Sequence, residues 1–121
     1  MGFVYSSEKL EVWKESKTLS KLVYKFTVGF PDYERFGLVT QMRRAVISVC
    51  SNLAEGSSRI SAKDQAHFYQ IAYGSLMELL NQIIISGELG FIEDSIVSQS
   101  RDQIEKVSRM INALRNQRLN L

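Results

Sequence analysis

The 121 residues include one cysteine, one proline and one histidine, with seven glycines. A lone cysteine excludes an internal disulfide and any zinc set built on thiolates, and it suits a reducing compartment. A lone histidine leaves little for a metal site or a proton relay. So few turn residues exclude a sandwich or barrel of many short strands. No apolar run is long and clean enough to span a bilayer: Phe68 to Ile92 is interrupted by Glu78, Asn81, Gln82 and Glu88. The first residues carry no basic stretch followed by an apolar core, so a cytoplasmic protein with no membrane partner is expected.

What is present is helical periodicity in a chain that is 45% hydrophobic, with a net charge of +2. Val12, Leu19, Val23 and Phe26 mark a first amphipathic segment, widened by Trp13 and Leu22, with Ser7 as its N-cap. Gly29 to Asp32 ends it, and Asp32 is placed to cap the second segment. In that segment Val39, Met42, Val46, Val49 and Leu53 step by three and four, and Gly56 closes it as a left-handed C-terminal residue. Ser61 caps a third, whose core stripe is Phe68, Ala72, Leu76, Leu79 and Ile83 and whose end is Gly87 or Gly90. A fourth begins near Asp94 or Ser95 and keeps a heptad through Val97, Ile104, Val107, Ile111 and Leu114, with Ser100 in a seam position. Its tail is expected to fray from Asn116. The reading is all-α: one antiparallel up-and-down four-helix bundle domain over 1–121, with helices at about 8–28, 34–55, 62–88 and 95–116.

Three features exceed what a plain bundle needs. Gln41, Arg44, Ser48, Asn52 and Glu55 share one face of the second helix, beside its apolar seam. Serine and asparagine are mediocre helix formers, so a partly buried polar network is expected rather than a merely solvated face. Gly74-Ser75 lies in mid-helix, where glycine is retained for close approach; Ser75 and Glu78 then face the stripe, pairing as Arg44–Glu78 and Asn52–Ser75. No nucleophile or metal set accompanies Glu55 and Glu78, so no catalytic residue, metal or cofactor is expected. The third feature is charge. Lys14, Lys17, Lys21 and Lys25 step along one face of the first helix, and Arg43, Arg59 and Lys63 add to them as candidate phosphate contacts. The competing reading is a protein-docking module using Ile47, Tyr69 and Tyr73.

Leu10-Glu11-Val12-Trp13, Phe30-Pro31, Glu34-Arg35-Phe36-Gly37-Leu38, Gln41-Met42-Arg43-Arg44-Ala45, Ser48, Asn52-Leu53-Ala54-Glu55-Gly56, Arg59 and Gly74-Ser75 with Glu78 together resemble the bacterial four-helix bundle family, also called the 23S rRNA intervening sequence protein family. The resemblance covers about residues 8 to 115. It implies a non-enzymatic bundle related to the accessory variability determinant of diversity-generating retroelements. That relation implies a homopentamer and binding of RNA, DNA or an RNA-handling protein such as a reverse transcriptase. The family usually carries proline where Cys50 stands, so a bend in the second helix is not carried over; Cys50 reads as a small core filler.

Overall fold

The structure, a computed structural model, describes residues 2–119. Its long elements are α1 (Glu11–Thr27), α2 (Thr40–Ser58), α3 (Ala62–Glu88) and α4 (Asp94–Leu119). Each helix packs on the next, and α4 returns to α1, which makes an all-α four-helix bundle. The core joins Val12, Leu19 and Val23 of α1 with Met42, Val46, Val49 and Leu53 of α2, Leu76, Leu79 and Ile83 of α3 and Ile104, Val107 and Ile111 of α4. The stripes expected from spacing are therefore the buried ones. The exceptions are Phe26, Val97 and Leu114, which are partly buried against the core, and Phe68, which is half-buried while its neighbour Tyr69 is enclosed instead.

Three of the buried polar residues inside the stripes are satisfied locally. Ser16, Thr27 and Ser86 donate to the carbonyls of Val12, Val23 and Gln82 one turn back, each at 2.7 Å. Ser100 is fully buried in its seam position, and its hydroxyl has no hydrogen-bond partner among the described residues.

The helix ends differ from the expected ones, for reasons the geometry supplies. Residues Ser6–Lys9 form a separate 3₁₀ turn, and Leu10, with extended backbone (φ −75°, ψ 119°), precedes α1; Ser7 is not its cap. Between α1 and α2 the chain makes a 3₁₀ turn at Asp32–Glu34 and a wide turn at Arg35–Val39, in which Gly37 leaves helical geometry (ψ −110°). Glu34, rather than Asp32, does the capping, its carboxylate accepting from the Leu38 N–H at 3.2 Å. From Thr40 onward α2 is continuous through Cys50.

Gly56 does not terminate α2. It lies buried inside it, and a Cβ there would stand 2.6 Å from the Tyr69 ring, so its missing side chain lets α3 pack against α2. The left-handed residue is Gly90 (φ 77°), which ends α3. Its N–H donates to the Gly87 carbonyl at 3.0 Å and that of Phe91 to Ser86 at 2.9 Å, the paired bonds of a Schellman turn. Ser61 caps α3 as expected, accepting from the Asp64 N–H at 3.1 Å. Helix α4 continues past Asn116 to Leu119, while the last two residues of the expected tail, 120 and 121, lie outside the described residues.

Candidate nucleic-acid interface

Helix α1 turns Val12, Leu19 and Val23 inward, which leaves Lys14, Lys17, Lys21 and Lys25 exposed on its outer side. Lys14 reaches Glu11 at 3.2 Å. Lys17, Lys21 and Lys25 have no carboxylate within 4.0 Å among the described residues. Glu15, the other acid of α1, points to the far side, where it takes Lys106 of α4 at 2.8 Å. That hydrogen bond holds the Glu15 carboxyl below its ordinary range, against the smaller opposing effect of burial. With its acid turned toward α4, the lysine face keeps its charge.

Two aromatic rings edge this face. The Lys17 ammonium stands 4.2 Å from the centroid of the Trp13 ring, and the Arg43 guanidinium 4.6 Å from that of Tyr24. Arg43 is fixed from α2: its Nε donates to Thr27 Oγ1 at 3.0 Å and an Nη to the Tyr24 carbonyl at 3.5 Å. Trp13 packs against the core, as the widened apolar stripe implies, and also borders the lysine face, whereas the stripe passes over Tyr24. A signal for both is present in the sequence, because positions 13, 17 and 24 recur at helical spacing in line with the lysines.

The other two candidate contacts lie apart, in the α2–α3 connection and the first turn of α3. Arg59 is engaged by Glu55 at 2.6 Å and covers the Phe68 ring at 4.5 Å. Lys63 is exposed in the first turn of α3.

The polar stripe of α2 is smaller than expected. Ser48 and Ser75 share a hydrogen bond of 2.8 Å across the α2–α3 seam, and Asn52 donates to the Ser48 carbonyl at 2.9 Å and to its hydroxyl at 3.1 Å. Asn52 thus reaches Ser75 only through Ser48. Arg44 and Glu78 form no ion pair within 4.0 Å; both are exposed and line a groove of about 330 Å³ with Gln41 and Ser48. Glu78 accepts from Gln82 at 3.3 Å, and Glu55 belongs with Arg59. Gly74 answers no close approach either, since nothing lies within 4 Å of where its Cβ would be. The expected pairing across the seam fails here because Arg and Glu side chains this long are better solvated than paired at a surface.

Arg44 therefore joins the cationic side of the molecule. On its other flank it lines a recess of about 460 Å³ with Tyr24, Thr40, Arg43 and Ile47. Of the expected docking residues, Ile47 is 44% exposed, but Tyr69 is enclosed and Tyr73 packs on the core. Cys50 is half-buried and 3.3 Å from the Ser20 hydroxyl, and burial pushes its thiol up, out of the reactive range. Among the described residues no cluster of three His, Cys, Asp or Glu side chains could hold a metal ion, and no helix is long and apolar enough to cross a membrane.

No curated protein matches the chain. The family model described as 23S rRNA-intervening sequence protein matches residues 8–113, from the turn before α1 to the last turns of α4. That span takes in all four helices with their connections, and the chain belongs to the 23S rRNA-intervening sequence protein family.

Proposed function

We propose that this protein is a non-enzymatic nucleic-acid-binding accessory protein that works as a homo-oligomer and holds RNA or DNA by its phosphates. The observation that carries the reading is the outer face of α1, where Lys17, Lys21 and Lys25 are exposed with no carboxylate among the described residues to neutralise them. Arg43 and Arg44 extend that charge onto α2. Such a face attracts a polyanion without reading sequence. One copy offers few phosphate contacts, so assembly into a ring, a pentamer by family resemblance, would repeat the face and add avidity.

A second reading, a docking module for another protein, draws on the apolar end of the bundle, where Val28, Tyr33 and Phe36 are each more than three-quarters exposed. Gel-shift titration against long and short RNA at low salt, paired with light scattering, separates the two. Binding that favours long RNA, from a particle heavier than 13.8 kDa, supports the nucleic-acid reading. A monomer that binds no nucleic acid at about 50 mM salt leaves the docking reading in its place.

A further inference from the structure

We infer that the α1 face is built for single-stranded nucleic acid, held by bases stacking at Trp13 and Tyr24 as well as by phosphates on the lysines. The inference rests on the reading of α1 as a nucleic-acid contact and adds the strand type. Trp13 and Tyr24 are eleven positions apart, close to three helical turns, so they lie in line and about 16 Å apart along the axis. Lys17 and Lys21 fall between them on the same side of the helix. Two cations therefore stand between two rings along one edge, so phosphate contacts are flanked on both sides by surfaces on which a base can stack.

The rings are not simply buried. Tyr24 is 41% exposed, and its ring carries Arg43 on one face. Because Thr27 and the Tyr24 carbonyl fix Arg43, its guanidinium is a held plane on which a base can stack. The recess beside it, about 460 Å³ between Tyr24, Arg43, Arg44 and Ile47, has room for a nucleobase. Trp13 is half-buried against the core, and the cover over its ring is Lys17, a flexible side chain that can leave the ring for a phosphate as a base takes its place. A duplex keeps its bases paired and stacked on one another, so it could use the lysines and would leave the rings and the recess idle.

Trp13 is the chain's one tryptophan, so its fluorescence reports this edge directly. The test titrates the unmodified protein with single-stranded oligothymidylate of about 20 nucleotides, longer than a typical single-strand site. A duplex of equal length and heparin, a polyanion with no bases, serve as comparisons. The expected result is quenching of Trp13 by the single strand, little by the duplex and none by heparin. Tyr24→Ala should weaken single-strand binding by about tenfold, the loss of one base stack, Tyr24→Phe should restore it, and heparin binding should not move. Equal affinity for duplex and single strand, with no quenching and no effect of Tyr24→Ala, would overturn the strand assignment while leaving phosphate binding intact. Absence of binding to all three probes would overturn both readings together.

Discussion

The outer sides of α1 and α4 carry similar numbers of cations and put them to different ends. On α4, Lys106 is tied to Glu15 and Arg109 to Glu105 at 3.6 Å, Arg115 donates to the uncharged Gln70, and the exposed Arg101 has no carboxylate within 4.0 Å among the described residues. Arg118 lies by Tyr69, where its charge opposes the upward push of burial on the phenol. On α1, Lys17 touches an aromatic ring, and Lys21 and Lys25 have no acid within ion-pair distance among the described residues. Net charge over the whole chain, +2, conceals this contrast. What separates the two rows is that α1 keeps three exposed lysines clear of carboxylates along one face, while α4 gives two of its bases to acids and turns Arg115 and Arg118 toward α3, and that depends on how neighbouring helices turn. Glu15 shows it: an acid within α1 serves α4 because it sits on the side facing that helix.

The contrast breaks most sharply under charge reversal. Lys17→Glu, Lys21→Glu and Lys25→Glu together should abolish nucleic-acid binding in a gel-shift assay, with the helical circular dichroism unchanged. Reversing Lys106 and Arg109 on α4 should weaken binding only modestly, through long-range repulsion. Equal losses from the two sets would erase the distinction between the faces.

Next in size is a packing effect on the side of the bundle away from either face. Gly56→Ala places a methyl 2.6 Å from the enclosed Tyr69 ring and should cost about 1–3 kcal/mol in urea denaturation. A wild-type midpoint would mean that α3 yields at no cost.

The polar seam should give a smaller loss. Ser48→Ala removes the partner of both Ser75 and Asn52, and about 1 kcal/mol is expected, with Ser75→Ala similar or less. Additive losses in the double variant would show that the two hydroxyls act independently and are not coupled by their hydrogen bond.

Smallest is the tie that gives α4 its share of the acids. The Glu15 carboxyl is held low by Lys106, so its contribution is present at neutral pH and is lost as the pH falls through its folded value. Glu15→Gln should lower the denaturation midpoint slightly at pH 7 and make no difference at acid pH, where the native carboxyl is already protonated. A deficit that persists unchanged in acid would assign the effect to packing.

How far the sequence speaks depends on range. The steps of three and four from Met42 to Leu53 are set within one helix, and these residues are the buried ones. Ser61 as a cap is equally local. The turns between α1 and α2 escape a sequence reading because Glu34 to Val39 has helical spacing, and only the Glu34 carboxylate on the Leu38 N–H and the turn of Gly37 reveal the break. Gly56 is legible as unusual but not as a packing residue, since its reason is a ring from another helix. The lysine row is visible as a row; whether acids of other helices neutralise it is not. Arg44–Glu78 shows the same limit from the opposite side: shared faces made a pair plausible, but both side chains are exposed at the groove and form no ion pair within 4.0 Å.

The salt dependence of binding tests the unneutralised α1 face most directly. Each phosphate neutralised contributes roughly 0.7–0.9 to the slope of log affinity against log salt. With Lys17, Lys21 and Lys25 changed together to glutamine, the slope should become shallower by about 2 or more relative to the unmodified chain. Superimposable slopes for the two proteins would contradict the account, because they would place the phosphates elsewhere.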